Sequence, residues 1–480
     1  MILGLAAAYA TDAWAGEVTA AAAVSAEASP PSPTCVSLED FVITNCPLTW
    51  NGVTVYGTID AGVTWRSHGA PFNGTSAIAE DYLIQMYSNH AQWGLGPNAL
   101  SQSNIGIKGN EPLASGWAFV FDLEAGFDPY SLQFANGPHS VAQNAGVPLT
   151  SQNSYADSSR AGQFYNSVGY LGVSSPYGTL TVLRQNSLTL DAVFAYDPMG
   201  SSYAFSPLGW QGVTCGVGDT EDCRFSTSVK YRDQIGQFRV AALWQFGGYS
   251  LNNAATGAYQ FQLGADVPNL AGGALSLDAI GSYVKNAVSI GLAGNTLPAV
   301  LPQVLTATLS DNASVMLVAK YTNGPVKLFG GYEGVRYAPP SNPYTAGAGF
   351  KDIGGDFVCA GCTAINNTNI NSTTFNAGDK LFHILWTGIK YTVFSGLDLT
   401  AAYYFNYQPT YGAKVNCSPA VASPTCHGTL NALSLVADWQ FEKKFDAYAG
   451  LMFSQVEGGL ANGFLNRNTI APTAGLRFRF

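Results

Sequence analysis

The chain has 480 residues, room for two or three ordinary domains or one large barrel, yet only 11% of them are charged, against roughly 25% in a typical globular protein. With 21 Lys plus Arg and a formal net charge of −10, it lacks the basic clusters that phosphate contacts require, so nucleic acid is excluded as an expected partner. No stretch of 18 consecutive apolar residues occurs, so no membrane-spanning helix is expected, whereas 53 Gly and 12% aromatic residues suit strands and turns.

In chain order, the first 65 residues carry no Lys or Arg, and residues 2–10 are apolar. Small-residue cleavage patterns follow at Ala13-Trp14-Ala15 and Val24-Ser25-Ala26. Residues 1–26 are therefore expected to be a signal peptide without its basic leading region, the true start being left open. Residues 27–48 read as a flexible Pro/Ser-containing segment, and 49–480 as the folded body.

From residue 53 onward, alternation of two faces recurs, the mark of strands rather than helices. Val53, Val55, Ile59, Val63 and Trp65 share one face, with Thr54, Tyr56, Asp60 and Thr64 on the other. Over 117–127 the face Trp117, Phe119, Phe121, Leu123, Phe127 opposes Asp122 and Glu124. Over 238–246 Phe238, Val240, Trp244 and Phe246 oppose Arg239 and Gln245, and Leu399, Ala401, Tyr403, Phe405 and Tyr407 repeat the pattern. These runs match the roughly 9 to 11 residues of a tilted membrane strand. The stretch 381–394 is ambiguous, because both of its faces are mixed.

Short connectors rich in Gly, Pro, Asn and Asp are predicted at 110–115, 174–178, 233–236, 269–273, 323–325, 395–397 and 442–445. Long ones separate them at about 67–102, 128–162, 186–224, 248–257, 285–311, 338–380, 408–428 and 458–467. Seven short turns and eight long loops require sixteen strands. The expected fold is therefore all-β, a transmembrane antiparallel β-barrel of about 16 strands, with short periplasmic turns and long extracellular loops. Lipid offers the backbone no hydrogen-bond partners, so such a sheet must close. At 16 to 18 strands closure leaves an aqueous lumen.

The eight cysteines fall into four local pairs: Cys35 with Cys46, Cys215 with Cys223, Cys359 with Cys362 and Cys417 with Cys426. Local pairs in loop-like sequence indicate disulfide staples in an oxidising compartment. Cys359 and Cys362 also have redox or zinc half-site spacing, but no second such pair lies nearby, and no metal or cofactor is expected.

The last strand, 470–480, places Ala474, Leu476, Phe478 and Phe480 on one face and Arg477 and Arg479 on the other. A lipid face ending on a terminal aromatic resembles the signal read by the outer-membrane barrel assembly machinery, which makes Phe480 the assembly-signal candidate.

VTVYGTIDAGVTW at 53–65, SNIGIKGNEPLASGWAFVFDLEAGF at 103–127, YGTLTVLRQ at 177–185 and the terminal LRFRF together resemble the trimeric sixteen-stranded general porins of Gram-negative bacteria, closest to those of rhizobial-type α-proteobacteria. The resemblance covers roughly residues 50–480. It implies an outer-membrane homotrimer in contact with lipid and lipopolysaccharide, one diffusion pore per subunit, and a third long loop folded inward as a constriction. Counting loops assigns that role to 186–224, with Asp191, Asp197, Asp219, Glu221 and Asp222 as its acids and Cys215 and Cys223 as its cysteine pair. Lys108 and Arg184 match the family's basic wall positions, and Asp122, Glu124, Arg477 and Arg479 complete the candidate lining. Arg184 shares its alternation register with Leu180 and Val182, which argues against an inward side chain. The chain departs from the family at Asn104, where Arg is usual, and at Asp122, where Gln is usual. Both changes make the pore less basic and favour mild cation preference.

The rival readings are weaker. Catalysis needs a nucleophile beside a base and an acid, and the histidines at 68, 90, 139, 383 and 427 stand in no such motif. A phosphate-specific channel would want more than 21 basic residues. A sugar-specific channel, needing an aromatic track, stays open, as does a secreted β-rich adhesin. The chain is too short for a 22-stranded receptor with a plug.

Overall fold

The computed structural model describes residues 35, 37–44, 46–69, 82–84, 88–130, 132, 164–208, 224–246, 257–291, 305–341, 370–374, 378–412, 417 and 423–480. A short helix, α1 (Leu38–Ile43), and a short strand, β1 (Leu48–Trp50), lead into β2 (Val53–Gly69), β3 (His90–Pro97), β4 (Ser103–Ala114), β5 (Trp117–Phe127), β6 (Val168–Ser175) and β7 (Gly178–Asn186). A second helix, α2 (Leu188–Tyr196), precedes β8 (Arg224–Ile235), β9 (Phe238–Phe246), β10 (Gly257–Leu270), β11 (Gly273–Gly291), β12 (Leu305–Asn323) and β13 (Val326–Ala338). The chain continues with β14 (Ile370–Thr374), β15 (Lys380–Phe394), β16 (Leu397–Gln408), β17 (Gly428–Glu442), β18 (Phe445–Gly458) and β19 (Asn468–Arg479).

Sixteen of these strands form a closed antiparallel wall: β2, β4 to β13 and β15 to β19, each paired with a neighbour on either side. The ring closes where β19 pairs with β2, Arg477 opposite Asp60 and Leu476 opposite Ala61. The expected strand number and the expected order of connectors both hold. Two-residue turns occur at 115–116, 176–177, 236–237, 271–272, 324–325, 395–396 and 443–444, and every other connection between wall strands is long. At 271–272 both residues have positive φ, 47° at Ala271 and 84° at Gly272, which matches the right-handed twist of the flanking strands.

Three further short strands, β1, β3 and β14, stand outside this count of sixteen. β1 turns through Asn51 and Gly52 to pair with the start of β2. β3 pairs with the long-loop half of β2, and β4 with its short-turn half. They act as one return strand interrupted at 98–102, so the region predicted as a loop over 67–102 holds part of the wall. β14 adds in parallel to the outer end of β12.

The two faces of this wall are inverted relative to a water-soluble protein. Ile59, Val63, Leu171, Trp244, Phe261, Leu317, Ile389, Leu435 and Leu476 are exposed outside, while Asp60, Arg66, Lys230, Asp278, Glu333, Asp438 and Arg477 are buried inside. Outward apolar and inward charged groups on a sheet without edges satisfy lipid and backbone together. No described helix is long and apolar enough to cross a membrane, and the strands do the crossing.

The expected signal peptide lies outside the described residues. The segment read as flexible, 27–48, carries ordered structure at its C-terminal end. Cys35 and Cys46 are joined by a disulfide around α1, whose N-terminus is capped by Ser37 accepting from the Asp40 N–H at 3.0 Å. The Phe41 ring rests edge-on against Phe478 and Phe480, 6.1 Å from each. Lys444 of the last short turn donates to the Cys46 carbonyl at 3.2 Å and lies 3.8 Å from the Phe41 ring centre.

Of the four cysteine pairs expected as staples, two are disulfides among the described residues: Cys35 with Cys46, and Cys417 with Cys426. The other two expected staples are not among them. Cys215 and Cys223 both lie outside the described residues, Cys223 one position before β8 begins at Arg224. Cys359 and Cys362 lie outside them as well.

Candidate functional site

The hydrophobic core sits inside the ring, around the segment 188–208. Ser187 caps α2 by accepting from the Leu190 N–H at 3.0 Å. Leu188, Leu190, Val193 and Tyr196 then pack with Leu243, Ile280, Met316, Ile384 and Trp386 of the inner wall in one buried cluster. This explains the mixed faces of β15: its inward positions Phe382, Ile384 and Trp386 meet protein, not water.

Hydrogen bonds trace the segment around the wall. The Tyr196 hydroxyl donates to Asp278 of β11 at 2.5 Å, and the Trp386 indole of β15 donates to the Tyr196 carbonyl at 3.1 Å. Asp197 accepts from the Tyr404 hydroxyl of β16 at 2.6 Å, from the Ser201 N–H at 2.7 Å and from the Met199 N–H at 3.2 Å. Burial pushes the Asp197 carboxyl above the ordinary Asp range, and these donors pull the other way. Ser202 and Ala204 both bond the Ala99 carbonyl at 2.8 Å, so the segment ends on the interruption between β3 and β4. Asp60 fixes that interruption, accepting from the Leu100 and Ser101 N–H groups at 2.8 and 2.7 Å and from Tyr448 at 2.5 Å. At Gly388 a Cβ would stand 2.5 Å from Pro198, so the close approach of segment to wall requires glycine there.

The remaining inner wall is charged. On β4 and β5, Lys108 lies opposite Asp122 and 4.8 Å from the centre of the Tyr56 ring. The Tyr56 hydroxyl reaches Asp122 at 2.6 Å and Glu124 at 3.1 Å. On β8, Lys230 at 3.0 Å and Arg232 both pair with Asp191 in the first turn of α2. Arg239 of β9 pairs with Asp266 and, at 3.0 Å, with Asp278. Near the chain end Arg477 pairs with Asp446 at 2.8 Å and Asp438 at 3.4 Å, and Arg479 pairs with Asp446 at 3.0 Å.

A sixteen-strand ring with an inward-folded third loop and charged inner walls has a counterpart among known families. The sequence matches the family described as Gram-negative porin over residues 13–459. The chain belongs to the Gram-negative porin family. Over 202 residues the porin is 25% identical to an outer membrane porin protein of Bordetella pertussis, a match spanning 42% of this chain and 43% of that relative, less than half its length. Among solved structures, the anion-selective porin from Comamonas acidovorans superposes with a TM-score of 0.56 at 15% identity, over 89% of this chain and 99% of that one. The trimer form of OmpT, an outer membrane protein of Vibrio cholerae, gives 0.51 at 14% identity over 89% and 99%. At these identities the structural likeness is one of fold.

Within the porin, the expected lining residues divide into separate groups. Lys108, Asp122 and Glu124 come together, and Asp191 meets bases of β8. Lys230 and Arg232 were missed by sequence reasoning, although with Ser228 they fill alternate positions opposite Val229 and Tyr231. Asp197 is 3% exposed and turned into the wall. Arg184 follows a bulge between Leu183 and Gln185, where Leu183 has φ 88°. It is buried and donates to the Asn166 carbonyl at 3.0 Å, so the simple register shared with Leu180 and Val182 is broken there. Arg477 and Arg479 sit beside the closing seam with Asp438 and Asp446, away from Asp191. The distal half of the predicted third loop, with Cys215, Asp219, Glu221, Asp222 and Cys223, lies outside the described residues. The predicted loop also ends one residue too late: Arg224, placed in it by the sequence, is the first residue of β8 and pairs with Asn186.

Proposed function

We propose that this porin forms a water-filled outer-membrane channel for passive diffusion of small hydrophilic solutes and ions, with no chemical step. The observation that carries this reading is the inner wall between β4 and β10. There Lys108 is exposed, and Asp122, Glu124, Arg232, Arg239 and Asp266 are part-exposed on the lumen side of a closed ring. Family membership and the trimer form of the Vibrio cholerae protein support a homotrimer. Lipid and lipopolysaccharide then cover the apolar outer face, and the assembly machinery reads Phe480. The mature protein is taken to begin after the signal peptide at 1–26. Staples between Cys215 and Cys223 and between Cys359 and Cys362 belong to the same proposal, by analogy with the two local disulfides at Cys35–Cys46 and Cys417–Cys426.

Mild cation preference belongs to the same reading. The Comamonas acidovorans porin is named anion-selective, but this chain places Asp122 and Glu124 beside Lys108 on that wall. Charges in a narrow gap with low-dielectric walls act on permeating ions more strongly than in water. In a KCl gradient across a planar bilayer, Asp122→Asn with Glu124→Gln is expected to move the reversal potential toward chloride. Lys108→Gln is expected to move it the other way, each by about twofold in permeability ratio. Clear chloride preference in the unaltered protein would sink the cation reading and leave the channel reading standing.

A further inference from the structure

We propose that α1, β1 and the Cys35–Cys46 disulfide form a redox-sensitive strap that locks the closing seam of the barrel. The strap rests on the closed ring and not on conduction. In the wall, each pair of neighbouring strands except β2 with β19 is joined by a turn or a loop of the chain. β2 and β19 are held only by what they pair with, so the ring opens there without drawing any connector apart. Their ladder runs over 58–64 against 473–479, and the exchange between Phe480 and Gly57 extends it. β17, by contrast, pairs with β18 from Gly428 to Glu442.

The strap takes over where that ladder stops. β1 pairs with Val53, Thr54 and Val55, whose other edge is taken by β4. It therefore lies on the β19 side of β2, in line with the chain end at Phe480. α1 reaches β19 itself, with the Phe41 ring edge-on to Phe478 and Phe480. Lys444 donates to the Cys46 carbonyl at 3.2 Å, while its own carbonyl accepts from the Arg479 N–H at 2.9 Å. One lysine thus ties the strap to the last strand.

The crossing depends on the disulfide. α1 has six residues, too few for a helix to persist in water by itself. The disulfide closes a loop around it, with a sequence separation of 11, and so restricts the conformations open to a released strap. Breaking that bond returns the freedom, and Phe41 and the Cys46 carbonyl lose their fixed places beside Phe478 and Lys444. Cys35 is part-exposed and Cys46 is 6% exposed, so a small dithiol attacks at Cys35. Its thiolate bonds to the Cys35 sulfur, and Cys46 leaves as a thiolate that takes up a proton. The second sulfur of the dithiol then displaces Cys35 as a thiol. Two electrons and two protons pass to the protein, and the dithiol becomes a cyclic disulfide. An oxidising compartment keeps the strap closed.

Gel migration of the folded, full-length protein after graded heating in dodecyl sulfate reads the lock. The temperature at which the compact form is lost is expected to fall by several degrees in dithiothreitol. Cys35→Ser with Cys46→Ser is expected to show the same fall without reductant and no further change with it. Cys417→Ser with Cys426→Ser, the control for the other described disulfide, is expected to respond to dithiothreitol as the unaltered protein does. Phe41→Ala keeps the disulfide but loses the contact with β19, and its dithiothreitol shift is expected to shrink. Should the Cys35→Ser, Cys46→Ser protein fail to fold, the shift of the unaltered protein and its shrinkage in Phe41→Ala carry the test. A temperature indifferent to dithiothreitol overturns the strap, as does a shift that persists without Cys35 and Cys46. Conductance is read separately: a protein that conducts but shows no shift loses the strap alone, and one that never conducts loses the channel reading whatever the gels show.

Discussion

Asp197→Ala is expected to release the inward-folded segment 188–208 from the wall. The substitution leaves the Tyr404 hydroxyl and the Ser201 and Met199 N–H groups buried with no acceptor. Each unmet buried donor costs about 1 to 3 kcal/mol, so the local loss is about 3 to 6 kcal/mol once partial relaxation is allowed. The wall keeps its own ladder of hydrogen bonds, so the barrel is expected to survive. Only the path of 188–208 changes. Single-channel recordings of the variant are expected to show larger, noisier conductance while gel migration remains heat-modifiable. Tyr404→Phe removes one donor and leaves the Ser201 and Met199 N–H groups and the Ser206 side chain in place, and its effect is expected to be small. An Asp197→Ala protein with unaltered conductance and noise would show that the carboxylate does not hold this segment in the lumen.

The second large effect is expected at the closing seam. Phe480 exchanges both backbone hydrogen bonds with Gly57, each at 3.0 Å, and its ring stacks on Phe478 with centroids 5.5 Å apart. α1 covers this pair with Phe41, held by the Cys35–Cys46 disulfide and Lys444. Phe480→Ala removes the aromatic contacts, which on a half-buried site amounts to about 1 to 2 kcal/mol, together with the terminal assembly signal. Gly57→Val is a separate test of the same seam. A Cβ at Gly57 would stand 2.7 Å from the Asn104 carbonyl and 2.6 Å from the Phe480 ring. Overpacking of this kind costs about 1 to 3 kcal/mol. Both variants are expected to lower the yield of heat-modifiable barrel in outer-membrane fractions, Phe480→Ala more strongly. Wild-type yield from both would mean that the seam is not limiting.

The wall was legible in the sequence because lipid and lumen impose opposite chemistry on successive residues. β5 and β9 have the bounds read from alternation alone, 117–127 and 238–246, since the part-exposed Asp122, Glu124 and Arg239 and the buried Gln245 point inward opposite aromatic rows. β15 resisted because Phe382, Ile384 and Trp386 face inward onto α2. An apolar residue that meets protein inside looks the same in sequence as one that meets lipid outside. β3 was hidden within a predicted loop because the return strand breaks at 98–102, and the break is set by Asp60, a residue on another strand. Counting picked out the connector whose first part, 188–208, packs inside the ring, yet the placement of its acids could not be assigned from sequence. Asp191 and Asp197 lie six positions apart in one short stretch. One finds Lys230 and Arg232, and the other is turned into the wall by Tyr404. Arg184 illustrates the same limit, because one bulge at Leu183 overturns a register argument that treats the strand as regular. Local spacing found the disulfides at Cys35–Cys46 and Cys417–Cys426, since short separations in turn-rich sequence bring two thiols within reach. The same reasoning stands as a proposal for Cys215 with Cys223.

The central claim, that this ring conducts, is tested most directly by single-channel recording of the purified, heat-modifiable protein in a planar bilayer. Stepwise conductance that closes in three levels is the predicted result. A folded, membrane-inserted barrel that passes no current under any applied potential would contradict it.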